Sequence, residues 1–274
     1  MSCRRCSAVF IMVRLPNGNS YFMNNFVTDA INLKSYNLSE ADKIIVMYSK
    51  DKGLIRGVAK GVKKPKSKLG ARMDLLVANK LMLYKGKNMA TICQADALNT
   101  FNKIRRNMDK IFYSMYISEI VNNFGVEDDP CSKDIYNLLY KALERISNAE
   151  AKVEILINVL KFQLKIMQIS GFGIELETCL CCGKHINDEK MFFSNKIGGV
   201  ICKNCNENFG YKTVMHHKIR DFLNALLQFD FDYKSDYEKL ANEKVCTVCF
   251  ELLKNYIQIH SAKKFHSADI LQEV

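Results

Sequence analysis

Two cysteine pairs in the middle of the chain limit most sharply what it can fold into: Cys179 and Cys182, followed by Gly183, and then Cys202 and Cys205 with the same spacing. Each pair can close a tight turn that aims two thiolates at one ion, and the 19 residues from 183 to 201 suffice for a short hairpin that brings the turns together. Four thiolates fill a tetrahedral shell, so the expected site holds one structural Zn2+ and leaves no position for water or substrate. The hairpin itself is legible, with Lys190 to Asn195 as a short apolar strand and Gly198-Gly199 as a turn. Without its metal this element could bury little, so its fold is expected to depend on zinc. Cys181 lies inside the first pair and competes with Cys182; the two-residue gap and the following glycine favour Cys182. A thioredoxin-like redox pair would open a helix in a βαβ unit, whereas these pairs flank a hairpin. His185 is the only histidine between the pairs, and four cysteines already complete the shell.

At 274 residues the chain has room for two domains and a metal-organised appendage. Its 48% hydrophobic content, with no uninterrupted apolar run long enough to cross a bilayer, is that expected of a soluble protein without a membrane span. Eleven cysteines without a signal peptide point to a reducing compartment, the cytoplasm. The opening MSCRRCSAVFIMV has an apolar stretch of only about seven residues and no small-residue cleavage site, so it does not read as a targeting signal.

The net charge of +11 is concentrated in one place. Between Lys50 and Ala90 there are twelve basic residues against two acids, Asp51 and Asp74. A local excess of that size makes a lasting positive potential suited to a polyanion such as nucleic acid, whereas an arbitrary lysine run is by default a solvated loop.

Context decides between these. Val27 to Ser35, Lys43 to Ser49, Leu54 to Val62, Leu75 to Tyr84 and Met89 to Ala95 read as five short strands with turns at Asp51-Lys52-Gly53 and Lys85-Gly86-Lys87-Asn88. That count suits a small Greek-key barrel of the OB type, which binds nucleic-acid strands on one face. Ala59 to Arg72, six basic residues with no acid, reads as a mobile exposed loop beside the barrel. The predicted phosphate-binding residues are Arg56, Lys60, Lys63, Lys64, Lys66, Lys68 and Arg72.

From Phe101 the apolar period lengthens to that of helices. One runs from Phe101 to Phe124, a second carries Ile135 to Ile146 with Ser132 as its N-cap, and a third spans about Ala151 to Ser170 and ends at Gly171. Two more are expected near His216 to Phe229 and Tyr237 to Ala262. Cys246 and Cys249 share a helical face in the last of these and read as packed thiols. Cys3 and Cys6 have no partner pair nearby. The predicted fold class is α+β: an N-terminal extension over residues 1–24 expected to be disordered, a five-stranded OB barrel over 25–98, and a helical domain over 99–274 with the four-cysteine zinc element inserted at about 176–210.

This order of parts resembles the RecO family of bacterial recombination and repair mediators. The resemblance runs from Phe26 to near the C-terminus and is carried by Ser39-Glu40-Ala41-Asp42-Lys43, by VAKGVKKPKSK from Val58 to Lys68, by LMLYKG from Leu81 to Gly86, by Gly171-Phe172-Gly173 ahead of Cys179-Leu180-Cys181-Cys182-Gly183, and by Phe193 with GGVICKNC from Gly198 to Cys205. It implies binding of single- and double-stranded DNA, annealing of complementary strands and, with the partner RecR, help in loading RecA onto DNA coated by single-strand binding protein. It also implies a cytoplasmic, nucleoid-associated place. Residues 1–24 fall outside the family pattern, and Met23 just ahead of it points to an upstream start or a nonfunctional tail.

Two rivals are weighed against this reading. One is a protein–protein adaptor whose zinc-stabilised helical domain grips partners and whose DNA contact is incidental. The other is an enzyme, a thiol oxidoreductase or zinc hydrolase; a closed metal site without a phosphate-cradling loop or nucleophile motif argues against catalysis.

Overall fold

The computed structural model describes residues 11–14, 20–23, 25–87, 89–208, 212–228, 231 and 241–265. Cys3 and Cys6 lie outside them, as do Tyr237 to Leu240 of the last predicted helix. The chain divides into two compact units, residues 1–100 with 125–136 and residues 101–124 with 137–274. Within the extension expected to be disordered, β1 (Ile11–Arg14) and β2 (Ser20–Met23) pair antiparallel as a separate two-stranded sheet.

The first unit is built on β3 (Asn25–Asn37), β4 (Lys43–Ser49), β5 (Gly53–Ala59), β6 (Ala78–Tyr84) and β7 (Ala90–Asn99). They close in the order β3-β4-β5-β7-β6, the five-stranded OB barrel. The 13 residues of β3 let it pair with β6 along its first half and with β4 along its second, and a register shift between Asn32 and Lys34 bends it from one partner to the other. Alternate side chains point inward, so Ile45 and Met47, and Leu81 and Leu83, fill the barrel with Ala30 and Ala59, and a register shift between β6 and β7 puts Ile92 and Ala95 there as well. The short parallel pairing of Gly57 with Ala90 and Val58 with Thr91 completes the closure.

Gly125–Tyr136 is part of this unit, and it contains Glu127-Asp128-Asp129-Pro130, which reads from sequence as a break before the second helix. Its backbone is stitched to the β4–β5 hairpin: Leu54 N–H donates to the Val126 carbonyl at 2.9 Å and Asp128 N–H to the Lys52 carbonyl at 2.8 Å. Side chains add to this, since the Tyr48 hydroxyl donates to the Asp129 carboxylate at 2.9 Å. Burial first, and then Asp129, push the Tyr48 phenol far above its ordinary range and keep it a neutral donor. Ser132 does not act as an N-cap; its hydroxyl donates to the Lys50 carbonyl at 3.0 Å, while Asp129 accepts the Cys131 N–H at 2.8 Å.

Gly53 is the tightest point of that junction. Its φ is +65°, and a Cβ there would sit 2.3 Å from the Val126 oxygen and 2.8 Å from Asp129 Cβ. Gly53→Ala is therefore expected to cost about 2 kcal/mol in urea unfolding, from left-handed strain plus the clash. Gly70→Ala, where a Cβ meets nothing within 4 Å, is the matched control and should change stability little.

In the second unit Phe101 and Ile104 precede the first helix instead of starting it. A short 3-10 turn, Ile104–Arg106, comes first, and Asn107 caps α1 (Met108–Phe124) by accepting the Lys110 N–H at 3.0 Å. Then follow α2 (Ser132–Asn148), which belongs to this unit from Asn137 on, α3 (Lys152–Ile169), α4 (His217–Gln228) and α5 (Glu243–His260), the last capped by Asn242, which accepts the Val245 N–H at 2.9 Å. The core lies between α1, α3 and α5, where Tyr116 packs edge-on to Phe250 and its hydroxyl accepts from Gln163 at 2.9 Å. Cys246 and Cys249 are fully buried on α5; burial, then Glu243, raises the Cys246 thiol to about 11, so it stays protonated as packing. Among the described residues no helix is long and apolar enough to cross a membrane.

Between α3 and α4, β8 (Lys190–Ser194), β9 (Gly199–Ile201) and β10 (Thr213–His216) form an antiparallel sheet in the order β10-β8-β9. This insertion has apolar side chains of its own packed against the helices. Met191, Phe193, Val200, Ile201 and Met215 are all buried, and Phe193 meets Tyr256 of α5 edge-on at 5.9 Å.

Candidate metal centre and nucleic-acid interface

The first cysteine turn is closed by its own backbone. Gly183 N–H donates to the Cys179 carbonyl at 2.8 Å, Cys179 N–H donates to the Lys184 carbonyl at 2.8 Å, and Gly183 has φ +71°, which a side chain would strain. The second turn opens a 3-10 segment, Lys203–Asn208, with Cys205 N–H donating to the Cys202 carbonyl at 3.2 Å. The β8–β9 hairpin brings the two turns together. Sγ atoms of Cys179, Cys182, Cys202 and Cys205 all lie within 4.8 Å of one another.

These four fit a metal. Sulfurs of a tetrahedral Zn2+ site stand about 3.8 Å apart for Zn–S bonds of about 2.3 Å, and Cys182 Sγ and Cys202 Sγ are already 3.9 Å apart. Burial would raise the Cys179 thiol, yet N–H groups of Cys202, Cys182 and Cys181 and the Cys182 side chain outweigh it and draw the thiol down to about 6. Cys205 moves the other way, raised chiefly by its hydrogen bond with Cys202 and then by Cys181. Cys181 is exposed and is not one of the four, and neither is His185, whose backbone bridges to Thr178.

All seven predicted phosphate-binding residues are exposed: Arg56 on β5, and Lys60, Lys63, Lys64, Lys66, Lys68 and Arg72 on the connection to β6. That connection is not the mobile loop its composition suggests. Asp42 accepts the Gly61 N–H at 2.7 Å, Lys63 N–H donates to the Ala41 carbonyl at 3.1 Å, and Arg72 Nη1 donates to the Lys68 carbonyl at 2.7 Å. Its far end is a 3-10 turn, Gly70–Met73, pinned from inside the barrel by the buried amides of Asn32 and Asn79, which both donate to the Arg72 carbonyl at 2.8 Å. Val62 and Met73 are buried in the barrel core. Lysines on a fixed backbone lose less freedom on binding than lysines on a free one. One of them is already engaged: Lys63 Nζ donates to the Ser39 carbonyl at 2.9 Å. Asp42, Asn32 and Asn79 are anchoring positions that sequence reasoning missed, because a lone polar residue in a strand or turn carries no local sign of what it will hold.

Two family models match successive parts of the chain. The family model described as Recombination protein O N terminal matches residues 23–101, and the one described as Recombination protein O C terminal matches 105–269. Similar proteins include the DNA repair protein RecO of Desulforamulus reducens, 28% identical over 92% of this chain and 96% of that protein. The DNA repair protein RecO of Caldanaerobacter subterraneus subsp. tengcongensis is 31% identical over 90% and 97%, and that of Acetivibrio thermocellus 33% identical over 68% and 72%.

Proposed function

Because the chain belongs to the recombination protein O family, we propose that it is a non-catalytic DNA repair and recombination mediator that binds single- and double-stranded DNA and anneals complementary strands. With RecR it would assist RecA loading onto DNA coated by single-strand binding protein, in the cytoplasm at the nucleoid. The observation that carries this reading is the fixed cationic connection: six exposed basic residues from Lys60 to Arg72, without an acid among them, held on an OB barrel by Asp42, Asn32 and Asn79. Such a surface neutralises phosphates whatever the base sequence. Two strands on it repel each other less, and their bases stay free to pair. Cys179, Cys182, Cys202 and Cys205 would hold one Zn2+, which supplies folding energy by joining two turns and does no chemistry on a substrate.

The test is annealing of complementary oligonucleotides, naked and coated with single-strand binding protein. Acceleration of both that weakens with added salt supports the reading, and an annealing rate equal to that of the oligonucleotides alone overturns it. The adaptor reading has one observation of its own, a groove lined by Val214, Thr247, Val248 and Leu252, in which Val214 and Val248 are exposed. It would prevail if Val248→Asp abolished partner binding and the wild-type chain did not anneal DNA.

A further inference from the structure

The barrel registers line up a second surface that the charge pattern does not reveal. Tyr36 on β3 pairs with Ile44 on β4, Ile44 with Val58 on β5, Val58 with Thr91 on β7, and Thr91 with Tyr84 on β6. Side chains alternate across a strand, and the sequence neighbours Ile45, Ala59, Leu83 and Ile92 fill the core, so these five residues face outward. At about 4.8 Å per strand, the row runs about 19 Å around the barrel with a tyrosine at each end. Tyr36 is 48% and Tyr84 41% exposed, and Ile44 and Val58 between them are half-buried. Beside this row stands another, Lys34, Val46 and Arg56, whose two cations are exposed. Lys34 Nζ lies 5.1 Å from the centre of the Tyr36 ring, and exposed Lys85 and Lys87 follow Tyr84 in the turn to β7.

We propose that this row is a track for an unpaired nucleic-acid strand, with Tyr36 and Tyr84 stacking on bases and Lys34, Arg56, Lys85 and Lys87 meeting the phosphates between them. The proposal rests on the DNA-binding reading and divides its labour. Lysines of the β5–β6 connection hold any phosphate backbone, whereas a tyrosine ring needs a free base face, which a duplex keeps inside its own stack. Exposed rings interleaved with cations suit an aromatic, anionic polymer.

The experiment compares an oligothymidylate with a duplex of equal length, using the full chain. Tyr36→Leu and Tyr84→Leu should each weaken single-strand binding roughly tenfold, leaving duplex affinity and melting temperature unchanged. The chain has no tryptophan, so Tyr36→Trp and Tyr84→Trp introduce single reporters. Their fluorescence should be quenched by the oligothymidylate and not by the duplex. Leucine variants that melt like the wild type and bind single strands as well as it does overturn the track while leaving DNA binding by the lysines standing, and so does an unquenched reporter in a variant that still binds. A wild-type chain that binds neither DNA overturns both readings.

Discussion

Cys202→Ser or Cys182→Ser is expected to lower the stability of the helical unit by at least ~4 kcal/mol, seen as a fall of about 10 °C in its melting temperature, with loss of the bound metal. Structural zinc contributes about 10–16 kcal/mol where a peptide is unfolded without it. The full amount is not expected here, because Phe193, Val200 and Ile201 remain buried and Tyr256 still donates to the Phe172 carbonyl at 2.9 Å. A metal on the four thiolates would add to the few bonds that tie the turns at 179–183 and 202–205, such as Leu180 N–H to the Val200 carbonyl at 3.1 Å. Hydrogen exchange should therefore rise most in those turns, less in β8 and β9, and not at all in the barrel strands. Cys181→Ser is the decisive control: an exposed thiol outside the group of four should be replaced without loss of zinc. If elemental analysis of the wild-type chain finds no zinc, or if Cys202→Ser and Cys181→Ser melt alike, the metal assignment fails.

The parts legible in the sequence are those whose physics is local. Cysteine spacing is one, since a tight turn around an ion needs two intervening residues, and Cys179, Cys182, Cys202 and Cys205 do converge. The β-branched run KIIVMYS is another, and as β4 it contributes Ile45 and Met47 to the barrel core. Long-range contacts left no such trace. Glu127-Asp128-Asp129-Pro130 reads as a break because nothing nearby shows that Tyr48, 81 residues away, will donate to Asp129. The β5–β6 connection reads as mobile because its lysines, proline and glycines are loop composition, while its anchors lie on other strands: Asn32 is 40 residues from the Arg72 carbonyl it grips. Likewise Tyr36 and Tyr84 become one row only when five strands are set in register. Local chemistry located the candidate residues, and distant partners decide how rigidly they are held.

Replacing Lys63, Lys64, Lys66 and Lys68 together by alanine is expected to weaken single-strand binding about 100-fold at 0.1 M salt and to leave the melting temperature of the chain unchanged. The size follows from counterion release. Each lysine that neutralises a phosphate adds about 0.7 to the slope of log affinity against log salt on a single strand, and the four together would add about 2.8. Lys63 already donates to the Ser39 carbonyl, so it counts for little, and three free ammonium groups bring the expected fall in slope to about 2. The fold should survive because all four side chains are exposed, and the backbone is held by Asp42 at Gly61 and by Asn32 and Asn79 at Arg72. Duplex binding should fall as well, since phosphates are common to both forms. That shared loss separates these lysines from the tyrosine row, whose removal should spare the duplex. An unchanged salt slope in a folded variant would move the phosphate contacts elsewhere, and Lys85 and Lys87 in the exposed β6–β7 turn would then be the next positions to replace.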